Sequence, residues 1–152
     1  SIRPPRRVSQ RPSMGRLMAI DLGSKRIGLA ISDPLRIIAQ PLRTIDAQPH
    51  LGLAKRLRGV AEAEGCDELV VGWPRLMDGG RGPEAQFARR LADTLRADTG
   101  WPVHLIDERL TSVQADRSML EAGLSRARRK QLSDPIAATL ILQGFLGRTS
   151  GG

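Results

Sequence analysis

The sequence predicts an α/β fold: a mixed sheet, three antiparallel strands followed by strands alternating with helices, covered by helices. Three observations predict it. Compact apolar runs of strand length come in quick succession after residue 16, the first two joined by the turn Gly23-Ser-Lys25-Arg26. Apolar residues at helical spacing then alternate with further strand-like runs, the pattern of a sheet with helices packed on it. The length, 152 residues, suits one domain large enough to bury a core.

Taken in order, residues 1–15 are rich in Pro and Arg without periodicity and read as a flexible basic arm. The single structural domain is expected over 16–147, with 148–152 a short tail. Leu17 to Asp21 reads as a buried strand, Ile27 to Ser32 as its hairpin partner, and Pro41 to Ile45 as a third short strand. Leu51 to Glu64 carries Leu53, Leu57, Val60 and Ala61 at helical spacing and stops at Gly65. Glu68 to Gly72 is a compact strand. Trp73 to Gly82 is a loop holding four Gly and Pro residues. Pro83 opens a helix with Phe87, Leu91 and Leu95 on one stripe, closed near Gly100. Val103 to Asp107 is another strand and Thr111 to Ala122 another helix, stopped by Gly123. Leu124 to Ser133 is expected as a basic loop, and Pro135 to Leu146 as the last helix.

Composition narrows the function. No apolar run approaches the ~20 residues that span a bilayer, and no apolar stretch follows the opening arginines, which predicts no secretory signal and a cytoplasmic protein. The single cysteine, Cys66, excludes an internal disulfide and a thiolate zinc site. Net charge is +8, suggesting a polyanionic partner. Arg3, Arg6, Arg7 and Arg11 supply four of those charges, so the body is only moderately basic, a level that also suits a solubilising surface. Aromatic residues make up 3%, with no Tyr. A nucleic-acid partner would therefore be held by its phosphates and its shape rather than by rows of stacked bases.

The two histidines, His50 and His104, sit near no persuasive nucleophile; His104, within a strand, suits a packed role, and His50 sits in a Pro-containing loop or helix start. Carboxylates are the better candidates. Asp21 ends an apolar strand, Asp107-Glu108 ends another, and Asp134 precedes Pro135. A carboxylate at the end of a buried strand is costly unless it meets a cation or a metal. Acids this far apart in sequence can converge only through the fold, and an all-oxygen cluster suits hard divalent cations. Each has a structural alternative. Asp134 followed by Pro makes a strong N-cap, Asp107 or Glu108 can pair with Arg109, and Asp21 can stabilise the Gly23 turn.

Together these residues carry a resemblance. The segment Ala19-Ile-Asp21-Leu-Gly23-Ser-Lys25-Arg26-Ile-Gly28-Leu-Ala30-Ile-Ser32-Asp33 resembles the opening signature of the RuvX/YqgF family. Glu68-Leu-Val-Val-Gly72-Trp-Pro74 with Asp78-Gly79 is similar to its second block, and Asp107-Glu-Arg-Leu-Thr111-Ser to its third. Lys130, Asp134, Ala137 and Ala138 are similar to its fourth. The likeness spans about Met14 to Leu146, and Trp73 departs from it where a smaller aliphatic residue is expected, as does the longer arm.

The resemblance implies an RNase H-like fold and an endonuclease dependent on Mg²⁺ or Mn²⁺, with two ions expected. It implies processing of the 5′ end of pre-16S rRNA in ribosome biogenesis, or Holliday junction resolution in recombination and repair. By motif match Asp21, Glu108 and Asp134 take the catalytic, metal-holding positions. Asp107 is the weaker neighbour, because adjacent strand residues face opposite ways.

Lys25, Arg26, Arg109 and the run Arg126, Arg128, Arg129 and Lys130 lie close to those acids in sequence and are expected to hold substrate phosphates. A solvated face accounts equally for any one of them. A homodimer would suit paired cuts in a four-way junction, although no dimer stripe stands out. Two other classes compete. Asp21-Leu-Gly23-Ser is also similar to the phosphate hairpin of sugar and acetate kinase-like ATPases, but those close two domains on a nucleotide. A basic nucleic-acid-binding or ribosome-assembly module without cleavage is the other.

Overall fold

The computed structural model describes residues 15–23, 25–73, 82–107 and 126–150, with side chains except at 73, 107, 126–134 and 148–150. Its elements are β1 (Arg16–Leu22), β2 (Arg26–Ser32), β3 (Ala39–Asp46), α1 (Leu53–Ala63), β4 (Cys66–Trp73), α2 (Pro83–Thr99), β5 (Val103–Asp107) and α3 (Arg126–Ser150). The five strands form one sheet in the order β3-β2-β1-β4-β5. β1 pairs antiparallel with β2, and β2 with β3. β4 and β5 are parallel to β1. This is the expected mixed sheet: a hairpin meander first, then strands entering by helical crossovers, as parallel pairing requires.

The central strands are apolar at almost every position because helices cover both faces of the sheet. Met18, Ile20, Leu29, Leu69 and Val71 pack on one face beneath Leu53 and Leu57 of α1 and Leu91 and Leu95 of α2. Leu17, Ala19, Ala30, Val70 and Ile106 pack on the other beneath Ala138, Ile141, Leu142 and Leu146 of α3. The strict alternation along β1 therefore fixes the face of every residue up to its end. Ser32, fully buried, closes the far end of the hairpin: its Oγ accepts from the Leu17 N–H at 2.9 Å and donates to the Asp33 carbonyl.

Most boundaries follow local chemistry. α2 opens with Gly82 as N-cap and Pro83 in its first turn, where a missing N–H costs nothing. It ends at Gly100, whose φ of 73° closes the last turn. α1 is followed by Gly65, also left-handed at 74°. β3 and β4 run longer than the sequence signalled, because edge residues pair once a neighbour is in place.

One expectation is overturned. The segment expected as a loop from Leu124 to Ser133 is helical from Arg126 onward, and α3 is continuous through Pro135. Asp134 therefore lies inside a helix and is not an N-cap. The Asp-Pro pair looked like a helix start, but the preceding Arg126-Ala-Arg-Arg-Lys-Gln-Leu residues are strong helix formers. Proline removes one donor, so only the Gln131 carbonyl loses its usual partner. One turn later the Thr139 hydroxyl donates to the Pro135 carbonyl at 2.6 Å. The helix expected over 111–122 and most of the loop after Trp73 lie outside the described residues.

Candidate active site

The carboxylate of Asp21 stands near the end of β1 and is 7% exposed. Alternation puts it on the α3 face, in line with Leu17 and Ala19. Its two partners across the sheet are both glycines: Gly28 on β2 and Gly72 on β4. Neither neighbouring strand thus sets a side chain beside it. An acid so buried at a strand end is costly unless a cation or hydrogen-bond donors meet it.

The turn that follows is fixed by close approach. A Cβ at Gly23 would overlap the Arg26 carbonyl oxygen. Lys25 and Arg26 are both exposed on this turn, and the Lys25 carbonyl accepts from the Ala47 N–H at 2.8 Å. Arg26 is two residues from Gly28 along β2, hence on the face of Asp21. The structure thus brings Asp21 and Arg26 to one face of one strand end.

The remaining expected residues divide. Glu108 and Arg109 lie outside the described residues. Arg126, Arg128, Arg129, Lys130 and Asp134 all fall on the N-terminal part of α3, the helix that covers the Asp21 face. Among the described residues no three Asp, Glu, His or Cys side chains come together as a metal site. A hard cation is nonetheless matched by the donor at hand, a carboxylate oxygen at a strand end with glycine on either side.

At the opposite end of the sheet a second buried acid appears, which the sequence reading took only as a strand residue. Glu68 is 5% exposed and accepts from Arg36 Nη1 at 2.7 Å, while His104 Nε2 lies 2.7 Å from its other oxygen. Arg36 also donates to Asp67 at 3.0 Å and to the Gly15 carbonyl at 2.8 Å. Burial pushes the Glu68 carboxyl up, but the His104 and Arg36 hydrogen bonds and the Arg36 charge more than offset it, so it ends below its ordinary value. His104 in turn stacks on Phe145 of α3, ring centroids 4.7 Å apart. His104 is thus packed, as expected, whereas His50 is exposed, its ring 4.5 Å from that of Phe87. The Glu68 cluster ties the β2–β3 turn, β4, β5 and α3 together and is structural. The signal for it was an acid of inward parity in an otherwise apolar strand; its partners gave none.

Comparison with known proteins bears on what the Asp21 end does. The family model described as RuvX, Holliday junction resolvase, matches residues 15–148. The chain belongs to the RuvX family. A Moorella thermoacetica protein named "Putative pre-16S rRNA nuclease" is 50% identical over 133 residues, covering 88% of this chain and 95% of the relative. A Rhodobacter capsulatus protein of the same name is 49% identical over 138 residues, with coverages of 90% and 86%. Among solved structures, the Thermus thermophilus RuvC in complex with Holliday junction substrate superposes with a TM-score of 0.54 at 17% identity, covering 90% of this chain and 96% of that one. The fowlpox virus Holliday junction resolvase gives 0.52 at 10% identity, covering 89% and 99%. These structural likenesses establish the RNase H-like fold. RuvX is a nuclease family, so hydrolysis of a nucleic-acid phosphodiester is the chemistry expected of a RuvX chain such as this one.

Proposed function

We propose that this RuvX chain is a divalent-metal-dependent endonuclease of structured nucleic acid that processes the 5′ end of pre-16S rRNA in the cytoplasm. Asp21, Glu108 and Asp134 are its metal-holding carboxylates. The observation that carries the reading is the Asp21 carboxylate, buried at a strand end between Gly28 and Gly72. The parity of β5 supports Glu108 over Asp107. Ile106 is in register with Gly72 and packs on the α3 face, so the next strand position, 107, has the opposite parity. For Asp134, support comes from its place in α3, four residues before Ala138 and seven before Ile141, two residues that pack on the sheet.

Mg²⁺ or Mn²⁺, as two ions, would activate a water and stabilise the leaving oxygen of an in-line displacement. The chain's own residues do the rest. The three carboxylates supply hard oxygen donors. Arg26, on the Asp21 face, offers a bidentate partner to the phosphate being cut. Lys25, Arg109 and the Arg126, Arg128, Arg129 and Lys130 run hold flanking phosphates without reading bases.

The rRNA assignment rests on the names of relatives near 50% identity. The family description favours a second reading, Holliday junction resolution, which would call for a homodimer because two cuts need two sites. A single assay separates them. Purified protein is given a 5′-extended 16S rRNA fragment and a four-way DNA junction, each with Mn²⁺ or with EDTA, beside Asp21→Asn. Metal-dependent cutting of the RNA alone, lost in the variant, is expected. Cutting of the junction alone moves the protein to DNA. Binding without cleavage of either makes it an assembly module, and full cleavage in EDTA ends the metal reading.

A further inference from the structure

β1 ends in two consecutive residues that face opposite ways. Asp21 is on the α3 face, and Leu22 is on the α1–α2 face. On that second face two clefts adjoin. One, of about 640 Å³, is lined by Leu22 and Gly23 at the end of β1, by Gln48 and His50, and by Glu84, Phe87 and Arg90 of α2. The other, of about 320 Å³, shares His50, Phe87 and Arg90 and continues to Lys55 of α1. The stacked pair therefore stands where the clefts meet, its rings 4.5 Å apart and tilted by 32°. Gln48 Nε2 lies 3.1 Å from the His50 ring nitrogen and holds the ring in place.

The charges here are available. Arg58 is taken by Glu62 and Asp98, and Arg96 by Asp93. Among the described residues, Arg90 and Lys55 have no ion-pair partner. Asp98 also lines the smaller cleft but is engaged with Arg58, which leaves Glu84 as the acid on the rim. A ring platform flanked by two unengaged cations is the chemistry of a single-strand site: bases stack, phosphates meet charge, and sequence is not read. The larger cleft has the volume of a small-molecule pocket, in the range of roughly 300–1,000 Å³, far too small for a duplex.

We propose that this joined cleft takes an unpaired nucleotide of the substrate strand, with its base against the His50–Phe87 pair and its phosphates at Arg90 and Lys55. The proposal rests on the nucleic-acid substrate proposed above and adds where an unpaired stretch leaves the duplex. Passing over the tip of β1 at Gly23, the strand would run from this cleft to the Asp21 face. One such platform also reconciles a low aromatic content with recognition of a flap beside a cut.

The test uses the full chain in EDTA, where no strand is cut. Two hairpins, one blunt and one with a short single-stranded overhang carrying 2-aminopurine, are titrated in RNA and in DNA form. Expected is tighter binding of the overhang by about five- to a hundredfold, the equivalent of one stacked base, with quenching of the 2-aminopurine. His50→Ala and Arg90→Gln, both at exposed positions, should erase the preference and the quenching while blunt binding and the melting temperature hold. Asp21→Asn should keep both. Whichever sugar shows the preference identifies the strand. Equal binding of blunt and overhang hairpins by wild type, or variants that keep the preference, overturns the cleft assignment alone. No binding of any hairpin overturns the nucleic-acid reading and the cleft with it.

Discussion

Arg36 adopts a left-handed backbone, φ 60°, in the turn between β2 and β3. A side chain there costs about 1–2 kcal/mol relative to a right-handed conformation, and the conformation is held by what the guanidinium binds: Gly15, Asp67 and Glu68 at once. Two substitutions separate strain from contact. Arg36→Ala loses every contact and keeps the strain, whereas Arg36→Gly loses the same contacts and relieves it. Glycine should therefore melt higher than alanine, by about 1 kcal/mol in stability, although below wild type. Equal melting of the two would mean the turn is not strained.

Its partner Glu68 makes a pH statement. The folded carboxyl titrates below its ordinary value of 4.5. A depressed acid contributes stability that is fully present above 4.5 and is lost as pH falls through the folded value. Glu68→Gln should lower stability at neutral pH and flatten the acid limb of a melting-temperature profile as pH falls below 4.5. An unchanged acid limb would assign acid unfolding to other carboxylates. Asp21 should behave differently. Asp21→Asn removes a charge that repels phosphate, so cleavage should fall by orders of magnitude while binding holds or tightens.

At the scale of elements, α3 is where sequence and structure part. The β1–β2 hairpin was legible because Gly23 and its polar neighbours break two apolar strand-length runs, and α1 and α2 because apolar spacing and terminal glycines agree. The start of α3 was not, since Asp134-Pro135 reads as a helix opening while the helix-forming residues before it carry no apolar stripe to mark them. The site was legible to the same degree. Asp21 stands out as an acid ending an apolar run, but the meaning of Gly28 and Gly72 depends on a register that no local pattern encodes. Glu68 finds Arg36 and His104 across 32 and 36 residues of chain. Pro135 follows from the proposed role of Asp134. Proline in a helix interior costs up to about 3 kcal/mol relative to alanine, so Pro135→Ala should raise the melting temperature. It should also lower cleavage, if the missing hydrogen bond is what sets the angle of the turn bearing Asp134. A variant both more stable and fully active would show that the proline serves neither.

Over the whole molecule, the net charge of +8 is unevenly spread. Four of its arginines are in residues 1–13, and Arg126, Arg128, Arg129 and Lys130 crowd the first turns of α3, which have no acid in the opening turn. A helix N-terminus carries partial positive charge, so each cation near it is unfavourable by about 0.3–1 kcal/mol. Such a cost is explained if the cluster meets a polyanion. Neutralising all four to Gln should therefore act in two directions: the protein becomes more stable while binding to duplex or branched substrate weakens about equally across sequences. The slope of log K against log[salt] should flatten by up to about four contacts times 0.9, the counterion-release slope per phosphate on B-form DNA. Deleting residues 1–13 removes the same number of charges, and it should flatten the slope less if the start of α3 is where the substrate phosphates are held. Both slopes are measured on one branched and one linear duplex. If the deletion has the larger effect, the start of α3 is a solvated surface and the substrate enters by way of the arm.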